Sequence, residues 1–142
     1  TSAPAIAEEV VCLLKEAGET LQEKKNWNPI RPARPRFTHL SHKERQALVA
    51  KDPRFGRVIC RCENVTEGEV LAEIHAPIPA RPYDAINRRT WLGTGRCQGG
   101  FDMTRVVEIL ARELQMPITG VSKRGSGSEF LYRETKKSEA DA

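Results

Sequence analysis

A chain of 142 residues, 39% hydrophobic and 30% charged, has the length of one compact core rather than two. A net charge of +4 with 6% aromatic residues makes no case for a nucleic-acid partner. No apolar run approaches the roughly 18 residues of a membrane span, and no charged-then-apolar signal segment opens the chain, so the reading is a soluble, cytoplasmic protein; of its four cysteines, close pairs such as Cys60 and Cys62 read as metal or redox ligands rather than disulfides.

The chain starts at Thr1 without Met and runs straight into a helix signal, as a piece of a longer protein would. Ser2 is placed to cap, Pro4 lies in the first turn, and Ile6, Val10, Leu13, Leu14, Ala17 and Leu21 recur at helical spacing. This predicts an amphipathic helix of about four turns within residues 1–25, weakened near Gly18, with Cys12 buried on its apolar stripe as a small hydrophobe. Residues 26–37 hold three prolines and three arginines with no apolar period and predict an extended connector. The basicity sits there and just beyond it: residues 26–57 carry eight basic side chains against two acidic ones.

Ser41-His42-Lys43-Glu44 is a capping box that opens a short helix, ending before Asp52-Pro53. Val58-Ile59-Cys60-Arg61-Cys62 is a short extended segment. A second capping box, Thr66-Glu67-Gly68-Glu69, starts a helix with Val70, Leu71 and Ile74 on one face and Pro77 as its stop. Another short helix is expected after Pro82 around Tyr83, Ile86 and Thr90/Trp91, with Trp91 in the core. The loop from Gly93 to Gly100 then feeds the clearest helix of the chain, with Phe101, Val106, Val107, Leu110 and Leu114 on its apolar face, ending at Pro117. The fold class is mainly α. A small helical domain with short extended segments spans 38–132, preceded by an isolated helix and the Pro-rich linker, and followed by a charged, disordered tail over 133–142.

Chemistry concentrates on three cysteines. Cys60 and Cys62 lie two apart, so on an extended backbone their thiols share a face and can hold one metal centre. Cys97 follows in a glycine-rich loop before a helix, where the backbone N–H groups of Gln98, Gly99 and Gly100 are expected to point at whatever Cys97 binds. Thiolates with N–H donors to sulfur are what an iron–sulfur cluster needs. His39, His42 and His75 share no metal-like spacing, and Arg88 and Arg89 read as solvated helix surface.

In order along the chain, Val58-Ile-Cys-Arg-Cys-Glu-Asn-Val-Thr-Glu-Gly-Glu-Val, Arg88-Arg-Thr, Gly95-Arg-Cys-Gln-Gly-Gly-Phe and Glu108-Ile-Leu-Ala-Arg-Glu-Leu resemble one family. It is the C-terminal [2Fe–2S] domain of anaerobic glycerol-3-phosphate dehydrogenases, a small helical domain similar to bacterioferritin-associated ferredoxin. The resemblance covers roughly residues 38–131. It implies four cluster ligands from C-x-C and C-x4-C, which fall on Cys60, Cys62, Cys97 and position 102; here that position is Asp102. A carboxylate carries a thiolate's formal charge but is a harder donor.

The resemblance further implies that residues 1–25 form the last helix of an upstream FAD-binding domain of the same chain, its N-terminus toward the flavin. It also implies a cluster that passes electrons from flavin to an acceptor subunit, with peripheral attachment to the inner membrane through partner subunits. The fragment by itself is then not catalytic, and glycerol 3-phosphate as substrate is inherited from the family. Against this redox reading stands a structural one, in which three sulfurs and one oxygen hold zinc, or nothing is bound, and the domain stabilises or docks the dehydrogenase.

Overall fold

The computed structural model describes residues 1–30 and 33–133; of the expected tail, all but Arg133 lies outside the described residues. The chain divides into two compact units, Thr1–Ala33 and Arg34–Ala142.

The first unit holds one helix, α1 (Ala3–Glu16), with Pro4 in its first turn. Ser2 occupies the N-cap position but makes no side-chain cap hydrogen bond. The helix closes where Gly18 turns left-handed at φ +89° and the N–H groups of Ala17, Gly18 and Glu19 return to Leu13, Lys15 and Leu14. Leu21 therefore falls outside it. The expected stripe is present, but one helix supplies no second layer to cover it. Ile6, Val10, Leu13 and Leu14 are exposed, and so is Cys12, which corrects its expected burial.

The second unit is built around three short helices. They are α3 (Glu67–Ile74), α4 (Tyr83–Thr90) and α5 (Met103–Leu114), which pack pairwise on one another. Val70, Leu71 and Ile74 from α3, Ile86 from α4, and Val106, Val107, Ile109 and Leu110 from α5 form the core, closed by Leu92 and Val121. Each helix buries a face of two to four apolar side chains, at about 1.5–3 kcal/mol per side chain removed from water. That face is what holds helices of 8 to 12 residues that would be marginal alone.

Both capping boxes form as the sequence reads. Ser41 caps α2 (His42–Lys51), its hydroxyl accepting from the Glu44 N–H while Glu44 accepts from the Ser41 N–H at 2.8 Å. Thr66 caps α3 in the same way with Glu69, whose other carboxylate oxygen takes the Phe37 N–H at 3.1 Å. The second half of the arginine-rich connector is thereby tied to the domain: Arg34 pairs with Glu73, and the Arg36 guanidinium lies 5.6 Å from the Trp91 ring centroid.

Val58–Cys60 (β1) pairs antiparallel with Val65–Thr66 (β2), with Val58 opposite Thr66, Cys60 opposite Val65, and an irregularity between them. The extended run thus stops at Cys60. Arg61 to Asn64 form the turn, Asn64 at φ +52°, so Cys62 reaches its place through a turn rather than through strand alternation.

Two aromatic expectations are overturned. Trp91 ends α4 in the left-handed region at φ +67°, which swings its ring out to 54% exposure instead of into the core. Phe101 precedes α5, which starts only at Met103, and its ring is 84% exposed. No helix among the described residues is long and apolar enough to cross a membrane.

Candidate metal centre

Strand β1 delivers Cys60 to the interior, where it is 1% exposed. The 61–64 turn brings Cys62 back toward the loop between α4 and α5, and that loop carries Cys97. Its glycines are spacers. A Cβ on Gly95 would stand 2.4 Å from Cys62 Cβ, so only a glycine lets the turn and the loop meet. A Cβ on Gly93 or Gly99 would come within 2.5 or 2.8 Å of the Tyr83 hydroxyl, and both residues hold positive φ, at +76° and +85°.

The cysteines differ in environment. Burial pushes the Cys60 thiol above the ordinary thiol range, opposed by the Gly93 N–H, which donates to Cys60 Sγ at 3.5 Å. The Cys97 thiol is pulled below that range, first by the Gly99 N–H and further by hydrogen bonding with Cys62 and the Phe101 N–H. Asp102 lies beside Cys60, and Cys62 beside Cys97.

This corrects the expected donor set in part. The Gln98 N–H goes to the Gly95 carbonyl at 3.1 Å and the Gly100 N–H to the Cys97 carbonyl at 2.9 Å, because the loop closes two tight turns before the helix begins. Of the expected donors, the Gly99 N–H lowers the Cys97 thiol, and the Phe101 N–H adds to it.

Asp102 stands at the N-cap position of α5, where an aspartate ordinarily accepts from the first-turn N–H groups. It makes no cap hydrogen bond. Its side chain turns inward instead, 1% exposed, where Oδ1 accepts from the Tyr83 hydroxyl at 3.2 Å and Oδ2 is buried with no partner. Burial, then the Asp102 charge, push the Tyr83 phenol far up, so it stays a donor. Tyr83 is the residue that sequence reasoning missed. The available signal was that a buried tyrosine needs a partner for its hydroxyl.

A cleft of about 630 Å³ opens over Cys62, Cys97 and Asp102, rimmed by Arg61, Arg96 and Arg105. None of these three arginines forms an ion pair among the described residues, whereas Arg57 and Arg112 clasp the buried Glu67 at 2.8 and 2.9 Å. Cationic charge is thus left available where anionic sulfur gathers.

The donor set fits a two-iron cluster. It offers three sulfurs, one orphaned buried carboxylate oxygen and N–H groups aimed at two of the sulfurs. Among the described residues no three His, Cys, Asp or Glu side chains meet closely enough to hold one metal ion. The histidines contribute nothing here; His75 pairs with Glu113 at 2.7 Å, on α5.

Comparison with known proteins agrees with this chemistry. Residues 58–112, which contain all four positions, match the family described as the BFD-like [2Fe-2S] binding domain. Over 136 residues, 96% of this chain, the sequence is 49% identical to a glycerol 3-phosphate dehydrogenase of Caloramator mitchellensis. The chain spans about 28% of the length of that relative. Neither finding supports zinc. No solved structure matches the chain.

Proposed function

We propose that this chain, which carries a BFD-like [2Fe–2S] binding domain over residues 58–112, is the one-electron relay of an FAD-dependent glycerol-3-phosphate dehydrogenase-like oxidoreductase. In this reading Cys60, Cys62, Cys97 and Asp102 hold the cluster. When bound, the cluster supplies single-electron steps that let a two-electron flavin discharge to an acceptor. The observation that carries the reading is that Cys62, Cys97 and Asp102 line one arginine-rimmed cleft, with Cys60 buried beside Asp102.

The chain's own residues do the rest. The Gly93 N–H on Cys60 and the Gly99 and Phe101 N–H groups on Cys97 stabilise negative sulfur. Arg61, Arg96 and Arg105 offset the charge of an all-anionic ligand set. The core helices keep water from Cys60 and Asp102. The unpartnered apolar stripe of α1 supports assigning that helix to a larger upstream FAD-binding body, and the 28% coverage of the relative supports the same. Glycerol 3-phosphate as substrate, and an acceptor subunit at the membrane, belong to this proposal.

Iron and acid-labile sulfide measured on the anaerobically purified full-length protein test it. Stoichiometric iron and sulfide, lost in Cys97→Ser, are expected. A metal-free protein that folds and oxidises substrate normally would overturn it and leave the structural reading, in which the domain stabilises or docks the dehydrogenase.

A further inference from the structure

Resting on the cluster reading, we infer that Tyr83 is the positioning residue of an oxygen-ligated iron: its hydroxyl holds Oδ1 of Asp102, so that Oδ2 alone is presented to the metal. Three observations converge on this. First, Asp102 occupies a position at which its side chain could cap α5, and it does not cap. A buried carboxylate oxygen without a partner is unfavourable, and a ligand at that oxygen would relieve it. Second, Oδ2 is that oxygen, on a side chain 1% exposed beside Cys60.

Third, the loop is shaped around the tyrosine. Gly93 and Gly99 both take left-handed backbone angles, and any Cβ there would strike the Tyr83 hydroxyl at 2.5 or 2.8 Å. The two glycines thus leave the room that the phenol occupies, and there its O–H donates to Asp102 Oδ1 at 3.2 Å. An untethered carboxylate can bind metal through both oxygens. With Oδ1 engaged, Asp102 offers a single oxygen and a single negative charge, the same count as one thiolate. Tyr83 thus lets a carboxylate stand in a place shaped for sulfur.

Mössbauer spectra of the full-length protein loaded with ⁵⁷Fe test this, since they report iron and are blind to flavin. The oxidised wild type is expected to show two unequal iron sites, and Asp102→Cys to make them alike. Tyr83→Phe is expected to keep initial iron and sulfide content but to alter the spectrum of one iron and to speed cluster loss to a chelator at least fivefold. Two equivalent irons in the wild type, or a Tyr83→Phe protein with unchanged spectrum and chelator resistance, would overturn the inference while leaving the cluster reading intact. Should Tyr83→Phe fail to fold by circular dichroism, the comparison of wild type with Asp102→Cys decides. A wild type without iron and sulfide would overturn both.

Discussion

Replacing Gly95 by alanine adds one methyl group at the contact between the Cys62 turn and the Cys97 loop. The new Cβ would lie 2.4 Å from Cys62 Cβ, 3.0 Å from Glu63 Oε1 and 3.4 Å from Cys62 Sγ. Ordinary van der Waals contact starts near 3.4 Å, so Cys62 must retreat by about 1 Å. Glu63 can yield by rotating its side chain. Cys62 Cβ is bonded to backbone and yields only if the 61–64 turn moves. Metal–ligand distances tolerate roughly 0.2 Å, so a shift of about 1 Å takes the sulfur out of bonding range.

Overpacking of this kind costs about 1–3 kcal/mol. Charged to the loaded state, that is roughly a 5- to 150-fold loss in cluster affinity. The assay is iron and acid-labile sulfide per chain after anaerobic reconstitution, with urea unfolding of the apo-protein alongside. Gly100→Ala serves as the graded comparison, because its Cβ meets only the Cys97 carbonyl, at 3.1 Å. A Gly95→Ala protein with full iron and sulfide and an unchanged electron paramagnetic resonance signal would refute the claim that the turn and loop meet at the metal.

Elsewhere in the domain the same arithmetic gives separate outcomes. Gly68→Ala improves helix propensity by about 1 kcal/mol, yet its Cβ would fall 2.6–2.8 Å from three atoms of the Phe55 ring, so calorimetry should show a net loss of stability; a higher melting temperature would refute this. Leu110→Ala, at a fully buried core position, should lower apo stability by about 2–5 kcal/mol in denaturant titration without changing the slope. Glu113 supplies a pH dependence. Burial would raise its carboxyl, but hydrogen bonds from Arg112 and His75 bring it below the ordinary 4.5. Its contribution to stability is therefore complete above 4.5 and lost as pH falls through the lowered value. Glu113→Gln should flatten the acid limb of a stability profile taken from pH about 6 to about 3; an unchanged limb would refute it.

How far the sequence was legible follows from where each signal resides. Capping boxes are local, four residues that satisfy one another, and both Ser41 to Glu44 and Thr66 to Glu69 appear as read. The buried faces of α3 and α5 follow from apolar spacing in the same way. Strand alternation does not place Cys62, which lies in a turn with Asn64 at φ +52°. Trp91 and Phe101 were misassigned because both sit one or two residues beyond a helix end, where a single dihedral angle decides whether a ring faces the core or water. Cys12 was misplaced because the stripe it borders has no second layer within its own unit. The bond from Tyr83 to Asp102 spans 19 residues and depends on two glycines fitting around a hydroxyl, information that no periodicity contains.

The orphaned oxygen of Asp102 also bears on the life of the molecule between synthesis and use. Under the proposed ligation, the folded domain without its cluster holds a buried carboxylate oxygen that has no partner and that the unfolded chain leaves in water, whereas the cluster would supply that partner. Insertion of the group and completion of folding are thereby coupled, and the gap in stability between filled and empty forms widens. In that reading, molecules without their iron would open more often and reach proteases first, so the pocket would sort finished from unfinished copies without any dedicated sensor.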